Sequence, residues 1–378
     1  MPQLSQYVSA LRPSVFATLT EKMKALSQPP IPLHLGDTFA LPPASARWEN
    51  LDLSSSGNYR YSHPFGLPTL LSELAHKLVR QNGISATSDW LQVTCGATQA
   101  LHCALQALVE PGQSVLLMAP YWPLFGGMVR CLGAHAVEVE CTPRLLRKEA
   151  SLAEILRQAY TPNVKAVYFS NPNNPDGYVY SPDELQQLAD FSQQHDLWVF
   201  SDECYEHYLY EGARHTSVAT LPGMAERTVS VYSFSKSFAM AGHRLGYAVA
   251  VPSLMNSIRR LANHTVYNVS PSIQKAGLET LLQADSFCQE WAPVYSRQRL
   301  RMAQAVQAPL PAGGAYFFPE FASPEAAWDF LERALQAGVA LAPGAAFGEQ
   351  YAHCLRICFT CVDEPTLERA CQILAALA

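Results

Sequence analysis

TVSVYSFSKSFAMAGHRLGYAVAV, residues 228–251, holds two apolar runs, 228–235 and 243–251, joined by a short connection of mostly small residues. Each run is rich in β-branched and aromatic residues and has the length of a strand. The first alternates Val, Tyr and Phe with small uncharged Thr and Ser, and the second is apolar from Leu245 onward, so neither presents a charged face, as in a strand covered on both sides. Working outward, runs of the same kind recur at 91–95, 114–120, 134–140, 164–170 and 197–203. Helical spacing at 98–109, 150–160, 181–195 and 253–264 separates several of them. Strands alternating with helices imply βαβ units and a mostly parallel sheet with helices on both faces, an α/β fold.

Beyond Val269 the rhythm changes. Helical stretches at 271–284 and 287–307 precede short strands at 315–321, 339–344 and 354–361, with helices at 324–337 and 364–377. This is α+β. The expected division is a large domain over 46–268 and a smaller one made of 1–45, with a helix at 4–26, together with 269–378. Segments at 33–43 and 67–81 read as an extended turn and a helix.

The 378 residues suffice for two or three domains, at roughly 150 residues each. Hydrophobic residues at 49% and charged residues at 15% exclude a disordered chain. A net charge of −6, from 26 basic and 32 acidic side chains, argues against nucleic-acid binding. Most of the ten cysteines lie in apolar runs, the usage of a reducing compartment. The start MPQLSQYVSALRPSVF shows no signal-peptide pattern, and the uncharged stretch Gln113–Val129 is too short and too broken by Pro and Gly to span a bilayer. The expectation is a cytoplasmic protein with no membrane partner.

Ligand sites in open α/β sheets lie beyond the carboxyl ends of the strands. Gly96-Ala97-Thr98 follow the strand at 91–95, Tyr121-Trp122-Pro123 the strand at 114–120, and Asn171-Pro172-Asn173-Asn174-Pro175-Asp176-Gly177 the strand at 164–170. Asp202 lies near the end of the strand at 197–203 with Tyr205 just beyond, and Ser233-Phe234-Ser235-Lys236 follows residues 228–232. Each residue type suits one part of pyridoxal phosphate. A helix N-terminus at Ala97 and Thr98 offers N–H groups to a phosphate. Ser233 adds a hydroxyl, and Arg244 a permanent forked cation. Trp122 can stack on a flat ring. The Asp202 carboxylate can keep a pyridine nitrogen protonated. Asn174 and Tyr205 can donate to a ring oxygen, and Lys236 can form the Schiff base that such enzymes require.

The chain resembles the fold-type-I pyridoxal-phosphate enzymes, specifically the class I/II aminotransferases. The motifs run in family order: YSHPFGLPTLLSELA (61–75), VTCGATQAL (93–101), APYWP (119–123), SNPNNPDG (170–177), SDECY (201–205), SFSK (233–236) with HRLGY (243–247), and LAPGAAFG (341–348) with CLRICF (354–359). The resemblance implies the aspartate-aminotransferase-like fold. It implies Lys236 as the cofactor lysine, Asp202 as the pyridinium partner, Asn174 and Tyr205 as ligands of the ring oxygen, and Ala97, Thr98, Ser233 and Arg244 as the phosphate cradle. Trp122 resembles the stacking ring, Arg356 the arginine that clamps the substrate α-carboxylate, and Gly36 the glycine whose loop closes over substrate. Trp122 and Asn174 border the substrate as well. Tyr61 resembles the tyrosine that reaches the phosphate of a neighbouring subunit, which implies a homodimer with shared sites.

Each residue also has a plain structural reading. Lys236 could be a surface lysine, Trp122 and Tyr205 core aromatics, and Asp202, Asn174 and Ser233 turn or cap residues. Their company favours the site. Cys354, Cys358 and Cys361 have an iron–sulfur-like spacing, but on an alternating strand Cys361 points away from the other two, so no cluster is expected. Asp202, Glu203, Cys204 and His207 lack a second ligand group, so no metal is expected. Three features depart from the family pattern. Asp176 replaces the usual threonine of its turn, the glycine loop reads GDTFALPP, and His264 lies about where aspartate-specific relatives carry an arginine for the side-chain carboxylate. The expected activity is transamination between an L-amino acid and a 2-oxo acid. A lyase, cyclase or oxidase on the same fold is the alternative. A regulatory module would need a linked DNA-binding domain, for which the first 40 residues leave no room.

Overall fold

A computed structural model describes the whole chain except residues 1, 3, 4, 10, 12–14 and 378. Seven strands form the main sheet: β1 (Leu91–Thr94), β2 (Ser114–Ala119), β3 (His135–Glu140), β4 (Val164–Ser170), β5 (Trp198–Asp202), β6 (Thr228–Ser233) and β7 (Gly246–Val249). Their spatial order is β1-β7-β6-β5-β4-β2-β3. Only β7 runs against its neighbours, antiparallel to both β1 and β6. The start of β7 therefore lies at the edge where the other strands end.

Alternation along the strands divides the core into two layers. Val115 and Leu117 of β2, Tyr168 of β4 and Val229 and Val231 of β6 pack under the helices Gly96–Leu108 and Pro252–Thr265. Leu116, Met118, Val167, Phe169 and Val199 face the opposite side, under Leu152–Ala159 and Pro182–Gln194. Both of these last helices start on a capping box, Ser151 with Glu154 and Ser181 with Glu184. The serine satisfies a free N–H of the first turn and the glutamate returns the bond.

A second sheet, in the order β8-β10-β9, joins β8 (Tyr316–Phe317), β9 (Ala342–Pro343) and β10 (Leu355–Cys358). Helices Ala284–Val306, Pro324–Gln336 and Glu364–Leu377 cover it. The N-terminal segment is stitched to this unit. Ile31 bridges Val339, the Phe39 N–H donates to the Thr360 carbonyl at 2.9 Å, and Lys22 pairs with Glu332 at 2.5 Å.

Several expected elements are shorter than their apolar runs. The 228–235 run ends as strand at Ser233, because the Ser233 hydroxyl accepts from the Ser235 N–H and starts a helical turn, Phe234–Ser237. The 243–251 run becomes strand only at Gly246, after a 3₁₀ turn at Ala241–His243 and a left-handed Arg244. The helix expected at 98–109 begins at Gly96, which puts Ala97 and Thr98 in its first turn. The helix expected over 4–26 is seen as Gln6–Ser9 and Val15–Lys24, and its remaining expected positions at 4, 10 and 12–14 lie outside the described residues.

Candidate active site

The carboxyl edge of the main sheet opens on one pocket. Ala97, Thr98, Trp122, Asn174, Asp202, Tyr205, Ser233, Lys236 and Arg244 all line it. At one end the helix Gly96–Leu108 presents its first turn, whose N–H groups have no acceptor within the helix. Gly246 makes this end possible. A Cβ on Gly246 would stand 2.6 Å from the Ala97 nitrogen and 2.7 Å from the Tyr232 carbonyl oxygen. The Arg244 guanidinium donates to the Ala241 carbonyl at 3.0 Å and lies 3.4 Å from the Ser235 hydroxyl. It forms no ion pair among the described residues. A cation beside free amide donors and two serine hydroxyls is the chemistry of a phosphate seat.

In the middle of the pocket Asp202 ends β5. The Cys204 N–H donates to its Oδ1 at 3.2 Å and the Tyr168 hydroxyl to its Oδ2 at 3.0 Å. Burial pushes the carboxyl above the ordinary carboxylate range, and these donors oppose that shift. A carboxylate held this way gains from a positive partner such as a protonated ring nitrogen. Lys236, one residue past Ser235, donates its Nζ to the Gly36 carbonyl. Loss of solvent holds its ammonium below the usual lysine range, with Asp37 opposing the shift. The Tyr208 hydroxyl fixes the backbone below it, donating to the Lys236 carbonyl at 3.1 Å.

Arg356 and Gly36 do not line this pocket; beyond Asn174 the site continues in a group built on the small sheet. Arg356 is buried on β10, and its guanidinium donates to the His34 carbonyl at 2.7 Å and to Asn174 Oδ1 at 3.2 Å. The rings of Tyr316 and Phe347 sandwich it at 4.4 and 4.7 Å. Its Nε has no hydrogen-bond partner. A buried N–H left unpaired beside a pocket suits an incoming carboxylate. At Gly36 the loop comes so close that a Cβ would lie 2.5 Å from the Tyr316 hydroxyl.

Tyr61 stands apart from the rest. It is 85% exposed and packs edge-on against Tyr267, away from the pocket of its own chain. His264 is exposed on its helix and bonded to the Arg260 carbonyl. Sequence reasoning missed Tyr168, Cys204, Ser235, Tyr316 and Phe347. Ser235 was within the motif, whereas Tyr168 and Tyr316 lie in runs that read only as core. One expectation needs correcting. Strand β10 stops at Cys358, so the chain turns and brings the Cys361 thiol back to 3.6 Å from the Cys358 carbonyl instead of pointing it away. Cys354 lies elsewhere, grouped with Glu320 and His353. Asp176 does more than tolerate its turn. It accepts from Thr142, from Asn173 Nδ2 at 2.8 Å and from the Tyr178 N–H at 3.1 Å, tying the Asn-Pro turn to the neighbouring helix.

The family model for aminotransferase class I and II matches residues 31–374. The chain belongs to the class I and II aminotransferases. The aspartate/prephenate aminotransferase of Thermus thermophilus is 32% identical over 99% of both chains. A solved double mutant of the Thermus thermophilus aspartate aminotransferase superposes with a TM-score of 0.92 at 32% identity, covering both chains fully. The aromatic aminotransferase of Pyrococcus horikoshii gives 0.86 at 30% identity, over 95% of this chain and 98% of the other. The fold is that of the aspartate aminotransferases. The protein is a pyridoxal-phosphate-dependent aminotransferase, and no finding favours a lyase, cyclase or oxidase. The pocket fits that cofactor. It offers an anion seat that a side chain at Gly246 would obstruct, the buried Asp202 carboxylate, and the Lys236 amine, all in one pocket.

Proposed function

We propose that this aminotransferase moves an amino group between an L-amino acid and a 2-oxo acid, with Lys236 holding the cofactor and carrying the substrate proton. One observation carries the reading. The Lys236 amine, disfavoured as an ammonium by loss of solvent, shares a pocket with the Asp202 carboxylate and faces the Gly36 loop. When bound, the cofactor supplies an electron sink for charge developing on the substrate α-carbon. The chain's own groups do the rest. The amides of Ala97 and Thr98, the Ser233 hydroxyl and Arg244 bind the phosphate. Trp122 stacks on the ring, Asp202 holds the charge on its nitrogen, and Asn174 and Tyr205 donate to its oxygen. Arg356 orients the substrate by its α-carboxylate, with the Gly36 loop as cover. A lowered lysine pKa enlarges the neutral fraction of the amine, the form a nucleophile and a base must take.

The division into a large unit, 46–268, and a small unit, 1–45 with 269–378, belongs to the same reading. It is supported by the stitching of Ile31, Phe39 and Lys22 to the second sheet. So does a two-fold dimer in which Tyr61 completes the neighbour's phosphate seat. Tyr59, Tyr61 and Tyr267 form an exposed aromatic patch of the kind that interfaces cover. A cytoplasmic setting is supported by ten free cysteines and by the lack of any described helix long and apolar enough to cross a membrane.

Borohydride reduction of the holoenzyme, followed by peptide mapping, should place the cofactor on Lys236. An amino-acid panel should convert the bound cofactor to its amine form with release of the matching 2-oxo acid. A label on another residue, or ammonia release in place of the cofactor's amine form, would overturn the assignment. For the dimer, Tyr61→Arg mixed with Lys236→Ala should recover activity in hybrids, and verified hybrids that stay inactive would refute shared sites.

A further inference from the structure

We propose that Tyr316 is a positioning residue that sets how strongly Tyr205 donates its proton, and through it the charge on the cofactor's ring oxygen. The proposal rests on the cofactor role given to Tyr205 above. Tyr316 belongs to β8 of the small sheet, and Tyr205 follows β5 of the large one. Both are buried, and their hydroxyls are hydrogen-bonded to each other across the two sheets. The same Tyr316 ring packs under the Arg356 guanidinium at 4.4 Å. Its hydroxyl is also the atom that a Cβ on Gly36 would meet first, at 2.5 Å. One phenol thus touches the ring-oxygen donor, the carboxylate clamp and the covering loop.

Proton counting gives the direction of the bond. A phenol carries one O–H. Once Tyr205 donates that hydrogen to the ring oxygen, its own oxygen can only accept, and Tyr316 must be the donor. The result is a series from Tyr316 through Tyr205 to the ring oxygen, in which each bond polarises the next. The Arg356 cation on the ring face favours donation from Tyr316. Burial pushes both phenols well above the ordinary tyrosine range, so both hydrogens are present at working pH. A stronger donor favours the deprotonated, charged ring oxygen. The other ionisable groups facing the pair are Arg356, Cys358 and Cys361 on the β10 side and Cys204 beside Tyr205. They are common to all the variants below and cancel in the comparison.

The test uses holoenzymes of wild type, Tyr316→Phe, Tyr205→Phe and the double variant. The readout is the pH midpoint at which the visible band of the bound cofactor changes. Tyr316→Phe keeps the ring on Arg356 and removes only the donor. Its midpoint should rise by about half a pH unit, a fraction of one hydrogen bond. Tyr205→Phe should raise it further, and the double variant should match Tyr205→Phe alone. In Tyr316→Phe the amino-acid KM should stay within about two-fold while kcat falls several-fold. An unmoved midpoint, or the same increment in the Tyr205→Phe background, overturns the proposal. A wild-type protein with no titrating visible band would overturn the cofactor reading and this proposal with it, whereas a titrating band that Tyr316→Phe leaves in place overturns this proposal alone.

Discussion

The two ends of the site are made by different means. The end assigned to the phosphate comes from adjoining strand ends of one sheet, and much of it is backbone: the first turn after β1, the turn after β6 and the start of β7. The end assigned to the carboxylate is made mostly of side chains leaning on one another. Arg356 is propped by the side chains of Asn174, Tyr316 and Phe347, with the His34 carbonyl as a backbone partner, and the four come from separate places in the chain. An end made of backbone resists side-chain changes but cannot tolerate added volume. An end made of propped side chains yields to volume but loses function when one prop goes.

Asp202 lies between the two ends and sets the scale. Asp202→Ala should lower kcat by about 10³-fold, as loss of a preorganised charge does, while cofactor binding weakens far less. Near-normal turnover would mean that the ring needs no carboxylate partner. Arg356→Ala should raise the amino-acid KM by about 10²-fold, with Arg356→Lys restoring only part because the fork is lost. A KM unchanged in both variants would remove the carboxylate end from the comparison.

The glycines sharpen the contrast. Gly246→Ala drives a Cβ to 2.6 Å from the Ala97 nitrogen, a backbone atom that cannot swing aside. Overpacking of this kind should cost about 2–3 kcal/mol, read by urea unfolding, and should weaken cofactor binding. Gly36→Ala meets a tyrosine hydroxyl instead. It should raise KM with little loss of stability, and equal stability losses in the two variants would erase the distinction.

The effect smallest at neutral pH concerns His207, which packs against Phe238. Burial lowers its pKa from 6.5 to about 4, with the Glu206 carboxylate opposing the shift. The folded protein therefore favours the neutral ring. The stability this contributes is complete above pH 6.5 and drains away as pH falls toward 4. A His207→Gln variant should lose stability less steeply than wild type across that window, by up to about 3 kcal/mol once the pH has fallen below it. Parallel unfolding curves would assign the acid sensitivity elsewhere.

The same contrast explains what the amino-acid sequence disclosed. Strand ends followed by Gly96-Ala97-Thr98 or SFSK are local patterns, so the residues expected at the phosphate end do share one pocket. Strand existence was legible from apolar runs, but strand ends were not. Ser233 caps a helical turn with its own side chain, a bond that composition does not reveal. Tyr316 and Phe347 were invisible as site residues because a tyrosine or phenylalanine in an apolar run reads as core, and here they are core residues that also face an arginine. Tyr168 was hidden the same way, its ring stacked on Phe125 while its hydroxyl reaches Asp202. The expectation for Tyr61 rests on the family resemblance alone, and within its own chain the residue is 85% exposed beside Tyr267.

The reversed strand β7 has a consequence for how the gene can change. Because β6 runs toward the pocket and β7 away from it, Lys236 and Arg244 sit at the two ends of one short connection. That connection works as a ruler. An inserted or deleted residue between them would shift the amine and the guanidinium relative to each other, and no compensating change in either strand could restore both, since each strand is held in register by its neighbours. Indels should therefore be rare in this stretch, while the Gly36 loop, anchored only at its ends and by side chains, is free to differ in length from one amino-acid specificity to the next.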